Sequence, residues 1–484
     1  MARRPGDGLS DGADDRAAPS PATPYALPPT PLQGVRVLDL GVVLAGPQAA
    51  LLLADLGAEV IRVESTQYFP PQTRGIFAHP SPEVVRNTIP VSGGYPNREP
   101  GERPWNRFPW FNTHARNKLS MTVDLQQPAG VAVFRRLAAL SDVLLSNQSP
   151  GTLERLGLGY AALSRENPGL VYVEASSFGA SGPSHDYRAL GLQMEAFAGH
   201  DLLRHYRDRD VSSNTWAVTA DAAGALGMAL AAQMALYARR RSGHGQYVDL
   251  SMIENFIGLI GPHVLDFMHN GRVPRSLGNR HYSAVQGCYP CQDAGGPSRA
   301  ADRHGRERGH LQQAASQTTN DRWLVLTLPD DAAWQAFCRA TGNPPGCDDA
   351  RFATVTSRLE NHDAVDELIA GWTQTLPREE AVVRLRAEGL MAGPVLDDAD
   401  AMADPHLAAR GFFWEIDQAD TGRHRYPGMP YRFANAKPGV RQPPILLGEH
   451  NAQIYKELLG VSDAAYEQLI AEGHIGTEYA AHIR

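Results

Sequence analysis

The sequence predicts a doubly wound α/β domain with a parallel sheet, joined to a smaller α+β domain. Three observations lead there. A strand–helix–strand unit spans Gly34 to Glu64, and that spacing requires parallel strands. The same β/α alternation continues to Glu174. It then stops, and from about Pro274 the chain turns to short strands, turns and clustered helices.

Order begins at Gly34. Val35–Leu40 is an apolar strand, and Gly41–Gly46 makes a turn. Pro47 suits the first turn of a helix, where its missing N–H costs nothing. Gln48–Leu56 continues that helix, Gly57 can end it in the left-handed conformation, and Glu59–Glu64 is the second strand. Ser65–Arg116 is long and rich in Pro, Asn and aromatics, the composition of a connector or wrapping segment. Strands follow at Leu119–Val123, Asp142–Ser146 and Leu170–Glu174, with helices at Gln127–Leu140 and Gly151–Leu156. Thr219–Arg241 reads as one long helix whose closing arginines suit its dipole. Gln246–Leu250 is a strand, and Met252–His269 a single apolar helix. The smaller domain holds a strand at Arg322–Leu328 and helices at Asp331–Thr341, Ala364–Thr375 and Arg378–Gly389. Asn451–Leu459 is a last helix, spaced to pack back on the first domain.

These elements give a domain division. Residues 1–33 form a disordered tail, and 34–245 with 425–484 form the large domain. Residues 246–273 are a linker helix, 274–400 the small domain with a flexible insertion at 293–318, and 401–424 a second linker.

Composition narrows the function. The 484 residues are 43% hydrophobic and 20% charged, which is globular, and the net charge is −8. A nucleic-acid binder would carry a basic surplus. The start of the chain has no apolar signal-peptide core. Ala217–Ala238 holds Asp221 and is Ala/Gly-rich, so it reads as a buried helix and not a membrane span. Four cysteines make no disulfide framework. Neither Cys288/Cys291 nor Cys338/Cys347 completes a four-ligand zinc site, so reduced, packed thiols in a cytoplasmic protein are expected.

The Gly41–Gly46 turn has two glycines of a phosphate loop, but Pro47-Gln48 replaces the Gly-Lys-Ser/Thr of a Walker A motif. Gly-x-Gly-x-x-Gly is absent too, although Glu64 lies near the place of a ribose-binding acid. A helix N-terminus after a glycine turn still offers backbone N–H groups to a phosphate.

Longer motifs make a specific pattern. Leu44-Ala45-Gly46-Pro47 is followed by Leu53-Ala54-Asp55-Leu56-Gly57-Ala58-Glu59-Val60-Ile61-Arg62-Val63-Glu64. Further on stand Ala115-Arg116-Asn117-Lys118, then Ser146-Asn147-Gln148-Ser149-Pro150-Gly151 with Leu153-Glu154-Arg155-Leu156-Gly157. Ser177–Pro183, Gly243-His244-Gly245-Gln246 and Leu446–Asn451 complete the set. Together they resemble the class III CoA-transferase family (CaiB/BaiF type), which includes formyl-CoA transferase and carnitine CoA-transferase. The resemblance runs from Gly34 to Ile475 and implies a Rossmann-like large domain built from both chain ends. It also implies two chains threaded through each other as interlocked rings.

The implied reaction moves CoA from an acyl-CoA to a free carboxylic acid through an aspartyl anhydride and an aspartyl-CoA thioester, with CoA as substrate and no resident cofactor or metal. Splitting one acyl transfer in this way is nucleophilic catalysis. Counting from Glu195-Ala196-Phe197-Ala198-Gly199 lands on Arg209, and a one-residue shift gives Asp208 or Asp210. Tyr206 favours Asp208, with Asp210 as runner-up; the competing reading is a set of solvated acids paired with Arg204, Arg207 and Arg209. By position, the resemblance assigns Val43 and Leu44 to the thioester end of CoA. Asn117, Lys118, Asn147, Gln148 and Arg155 fall to its phosphates and nucleotide. Lys and Arg have a physical reason to be there, since they neutralise phosphate charge.

Two other classes stay open: a non-catalytic CoA-binding subunit beside an active homologue, and a 2-methylacyl-CoA racemase. The racemase needs a His-Asp step, yet Leu190-Gly191 stands there, so one of two proton-transfer partners is missing. Asp221 matches its later Asp and otherwise reads as a helix N-terminal residue. Gly278–Tyr282 corresponds to the family's mobile loop. Trp105, Phe108, Trp110 and Phe111 fit either a bulky acyl group or a dimer contact. A homodimer, or a heteromer with a homologue, is expected, without nucleic acid or membrane.

Overall fold

The computed structural model describes residues 30–88, 94–215, 217–292 and 322–483. The expected tail, apart from residues 30–33, and the expected insertion lie outside the described residues.

Six strands form the main sheet: β1 (Arg36–Asp39), β2 (Glu59–Glu64), β3 (Lys118–Thr122), β4 (Val143–Ser146), β5 (Val171–Ser176) and β6 (Tyr247–Ser251). Their order is β3-β2-β1-β4-β5-β6, all parallel. Val37 registers with Val60 on one side and Val143 on the other. The helices of this half are α1 (Ala45–Asp55), α2 (Pro82–Asn87), α3 (Pro104–Arg107), α4 (Pro109–His114), α5 (Pro128–Ala139), α6 (Thr152–Arg155) and α7 (Tyr160–Glu166). Next come α8 (Gly191–Phe197), α9 (Asp201–Arg204), α10 (Thr219–Ser242), α11 (Met252–Ile257) and α12 (Gly261–Asn270).

Alternation along each strand sends successive side chains to opposite faces. Val37, Val60, Val143 and Val173 meet α1, α10 and α11 through Ala49, Leu53, Met228 and Phe256. Leu38, Ile61, Met121, Leu144 and Tyr172 face the other way, against Phe134 and Leu137 of α5 and the C-terminal Ile454, Tyr455 and Leu469. The chain's last segment therefore closes the second face of a sheet begun by its first. A small residue lets α10 and α11 approach closely: a Cβ on Gly224 would lie 2.6 Å from Met252 Cε.

A three-stranded antiparallel sheet, β7 (Val285–Pro290), β8 (Trp323–Leu328) and β9 (Met391–Pro394), carries a separate core with Trp334, Phe337, Ile369 and Leu385. All four cysteines are free thiols. A hairpin of β10 (Phe413–Gln418) and β11 (Gly422–Pro427) is tied to Asn106 O by Gln418 Nε2 at 3.1 Å and to Arg116 by Pro427 O at 2.8 Å.

Several expectations are corrected. The single helix Met252–His269 is broken into α11, a 3-10 turn at Gly258–Ile260, and α12. Pro262 explains the break, because it has no N–H to give and its ring crowds the preceding turn. The Ser65–Arg116 connector contains α2, α3 and α4, two of them opened by Pro at their first residue beside Trp105 or Phe108. The expected 401–424 linker contains β10, and the β10–β11 hairpin crosses the expected 424/425 boundary. Trp105, Phe108 and Phe111 are each no more than 2% exposed within their own chain, so they pack its core. The Asn451–Leu459 helix is a π-helix at Gln453–Leu458.

Candidate active site

In a doubly wound sheet the ligand crevice opens beyond the carboxyl ends of the strands, where the strand order reverses. Here that point lies between β1 and β4. Val43, Leu44, Asn147 and Gln148 all follow those two strands and converge there. Val42 donates its N–H to Asn147 Oδ1 at 2.7 Å, and Asn147 Nδ2 donates to Val42 O at 3.0 Å. Gln148 Nε2 donates to Leu40 O at 3.2 Å, and Val43 N–H to Thr73 Oγ1 at 2.9 Å. Val43 has φ +58°, a left-handed conformation costly for a β-branched residue. Held strain of this kind is paid for by surrounding bonds and gathers at functional sites. Gly46 is required by the same packing: a Cβ there would meet Asn147 Oδ1 at 2.4 Å.

Asn117 and Lys118 are not at the crevice surface. Lys118 is 1% exposed, and its Nζ donates to Asp39 Oδ2 and to Pro47 O, each at 2.8 Å. Arg62 Nη1 holds the other oxygen of Asp39 at 3.0 Å. Burial alone would push the Asp39 carboxyl up; the two cations instead hold it down at about 2. Asn117 donates to Asp55 Oδ1 at 2.7 Å and Gly439 O at 2.9 Å, and accepts from Gln442 N–H at 3.0 Å. It thus pins the returning C-terminal segment. Both residues stabilise the floor beneath the crevice. Glu64 is likewise occupied, by Arg74 through two bonds of 2.7 Å. Arg155 is exposed on α6 and donates to Thr152 Oγ1 at 3.1 Å.

The two candidate nucleophiles lie on an open loop. Asp208 has an 80% exposed side chain, 3.8 Å from Arg209 Nε. It borders a cavity of about 600 Å³ between this loop, Gly278–Arg280 and the small domain. Asp210 caps the turn Val211–Ser213 by accepting from Ser212 N–H at 2.9 Å, and bonds to Ser212 hold its carboxyl below the ordinary range.

A third acid has the stronger environment. Asp221 is in the first turn of α10, half-buried, and its carboxyl is pushed up to about 6 by burial and by the charge of Glu195. Gly191 at the start of α8 makes the room, since a Cβ there would stand 2.4 Å from Asp221 Oδ2. Glu195 is fully buried and accepts from the N–H groups of Thr219 at 2.9 Å and Ala220 at 3.2 Å. The sequence reading places Asp221 as a racemase acid or a helix N-terminal residue and does not join it to Gly191 or Glu195. The available signal was an acid at a helix start, with Gly191 and Glu195 four residues apart on one face of the preceding helix. Glu195, His200 and Asp201 bring their donor atoms within 4.8 Å of one another. Those atoms are already engaged: Glu195 by the two N–H groups and His200, Asp201 by Arg204.

The fold defines an α/β protein whose parallel sheet reverses its strand order between β1 and β4. The sequence pattern of CoA-transferase family III matches residues 32–296 and 294–451, and the chain belongs to that family. It is therefore an enzyme of the class III CoA-transferase type. The succinyl-CoA–D-citramalate CoA-transferase of Chloroflexus aurantiacus is 32% identical over 438 residues, covering 90% of this chain and 96% of its own. The beta subunit of the succinyl-CoA–L-malate CoA-transferase of the same organism is 28% identical, covering 91% of this chain and 96% of its own. Among solved structures, a CaiB/BaiF family protein from Brucella suis superposes with a TM-score of 0.70 at 27% identity, covering 89% of this chain and 99% of its own.

Proposed function

We propose that this enzyme transfers CoA from an acyl-CoA to a free carboxylic acid, and that Asp221 is its nucleophile. The single observation that carries the choice is the enclosure of Asp221, with its carboxyl raised to about 6. A carboxylate poised just below neutral pH is ionised at work yet more basic than a solvated one. Asp208 and Asp210 have no such enclosure, and bonds to Ser212 make Asp210 a weaker base still.

In this reading the Asp221 carboxylate attacks the thioester carbonyl, the C–S bond breaks, and CoA leaves as thiolate. The thiolate then attacks the Asp221 carbonyl of the mixed anhydride, releasing the donor acid and leaving an aspartyl thioester. The acceptor carboxylate repeats the two exchanges in reverse and departs as its CoA thioester, restoring Asp221. The thioester end of CoA lies against Val43 and Leu44 at the β1/β4 crevice and its nucleotide end against Asn147 and Gln148, with Arg155 available to a phosphate. Chloroflexus relatives named for succinyl-CoA with citramalate or malate support a small dicarboxylic acid as one substrate.

The same proposal includes a dimer. None of the ten side chains of α12 is buried. Leu226, Leu230, Met234 and Tyr237 form an exposed stripe along α10, each more than half exposed. Contiguous apolar surface of this extent marks an interface, and a second, threaded copy of the chain is the occupant we assign. A relative named as a beta subunit supports a heteromer as the alternative. Free thiols throughout support a cytoplasmic enzyme.

The test is transfer of labelled CoA by Asp221→Asn, Asp208→Asn and Asp210→Asn, with hydroxylamine trapping of the aspartyl thioester and mass spectrometry of the modified peptide. Label on Asp221 is the expected result; label on Asp208 or Asp210 would move the nucleophile back to the loop. Proton exchange at C2 without transfer would indicate the racemase instead, although the exposed Leu190 stands where that chemistry needs a base.

A further inference from the structure

The turn from α8 to α10 is built around one buried carboxylate. Glu195 is 0% exposed. Its Oε1 accepts both N–H groups that open α10, those of Thr219 and Ala220, the two residues immediately before Asp221. Its Oε2 meets His200 Nδ1 at 3.1 Å, with Arg204 Nη2 at 3.7 Å. One turn earlier on the same helix, Gly191 presents bare backbone to Asp221 Oδ2. Residues four apart share a helix face, so α8 offers Asp221 a cradle: empty space at one end and a fixed negative charge at the other.

We infer that Glu195 is a positioning residue for the transfer reaction: it anchors the first turn of α10 and holds a buried negative charge beside Asp221, keeping that carboxylate basic. This inference rests on the reading of Asp221 as nucleophile. The raised Asp221 carboxyl, for which burial and the Glu195 charge are the two causes, agrees with the geometry. An ordinary helix cap would be Ser, Thr, Asp or Asn at the N-cap itself, reaching one N–H. Here the N-cap residue is Val218, which makes no side-chain cap bond, and the cap comes from another helix as a full charge. That arrangement couples the cap to the neighbouring acid. The charged groups around it are few. From α8 comes Glu195; from α9 come His200, Arg204 and Asp201, with Arg204 shared between Glu195 and Asp201. From α11 comes the Phe256 ring, 5.1 Å from His200.

The consequence is kinetic. A carboxylate that falls from about 6 toward the ordinary 3.8–3.9 loses about a hundredfold in basicity. With a Brønsted slope of about 0.5, as for thiolate nucleophiles, that is about a tenfold fall in rate.

The experiment is a pH–rate profile of CoA transfer by the full-length enzyme and three variants. Glu195→Gln keeps an oxygen for the two N–H groups and removes the charge. The expected result is an acid limb displaced to lower pH, with kcat down by less than about tenfold, since burial still raises Asp221 in the variant, and KM for the acyl-CoA little changed. A structural cap alone would leave the limb in place. An E195Q enzyme that folds, shown by its circular dichroism and melting midpoint, and keeps the wild-type acid limb overturns the inference. Where E195Q does not fold, Gly191→Ala decides: its added Cβ is expected to lower kcat while KM holds, and wild-type kcat in G191A refutes the cradle. Asp221→Asn separates the two readings. If D221N still transfers CoA, the nucleophile assignment fails. If D221N is dead and E195Q is unchanged, only the role of Glu195 fails.

Discussion

Lys118→Met exchanges a buried ammonium for a side chain of similar length and no charge. Lys118 is 1% exposed and Asp39 is fully buried. After the change Asp39 keeps Arg62 at 3.0 Å, and the carbonyl of Pro47 loses its 2.8 Å donor. A lower bound on the worth of the cations, which must also overcome the burial of the carboxyl, comes from the carboxyl itself. Moving Asp39 from 3.8 to about 2 corresponds to about 2.4 kcal/mol in favour of the ionised form. Breaking a buried pair by removing one partner costs about 3–5 kcal/mol, so we expect a loss in the range of about 2–5 kcal/mol. Because the Asp39 carboxyl is depressed in the folded state, its contribution is fully present above pH 4. It is lost as pH falls from about 4 to about 2. The assay is urea unfolding followed by circular dichroism, for wild type and K118M at pH 7 and at pH 3. The gap between them should narrow at the lower pH, where Asp39 begins to protonate. A K118M enzyme within about 0.5 kcal/mol of wild type, but with a much raised KM for CoA, would falsify the structural role. It would return Lys118 to the phosphates.

Other expectations follow from the same structure. Asp221→Asn should lower kcat by at least about a thousandfold, measured with labelled CoA, with an unchanged melting midpoint; a residual rate near wild type would sink the nucleophile assignment. Asn147→Ala loses both bonds to Val42 and should cost about 1–3 kcal/mol, with a raised KM for acyl-CoA in steady-state assays. Val43→Gly relieves a φ of +58° and should leave the melting midpoint no lower than wild type; a fall of several degrees would mean that no strain is stored there. Met234→Glu places a charge in the exposed α10 stripe and should shift the mass seen by light scattering toward the monomer.

The strand–helix rhythm of the large domain was legible because its signals are local. Val35–Leu40, an apolar strand, and Glu59–Glu64, with Val60, Ile61 and Val63, are bracketed by Gly34, Gly41 and Gly57, and Gly57 does take φ +104°. The β10–β11 hairpin was not legible, because Glu415, Asp417, Arg423 and Arg425 make an exposed ribbon look like linker. Trp414, Ile416, Gln418 and Tyr426 mark its inner side. The site divided in the same way. Asn147 and Gln148 were assigned through the family resemblance, and the fold sets them after β4, bonded to the segment that follows β1. Lys118 was assigned to a phosphate because charge type says nothing about direction, and burial turned it inward. Asp221 was passed over because its enclosure comes from α8, thirty residues earlier by its Gly191 and twenty-six by Glu195. No local pattern shows that Gly191 is empty for its sake.

The closing of the sheet by the chain's last segment also sets an order of events during synthesis. All six parallel strands have been made once Ser251 emerges, yet Leu38, Ile61, Met121, Leu144 and Tyr172 still await Ile454, Tyr455 and Leu469. At about 5–20 residues per second the roughly 200 intervening residues take about 10–40 s. Throughout that interval a nascent chain carries an apolar sheet face that α5 covers only in part. A ribosome stalled before the C-terminal segment should therefore hold a protease-sensitive, chaperone-binding intermediate, and any threading of a second chain through the first must be settled before that segment docks.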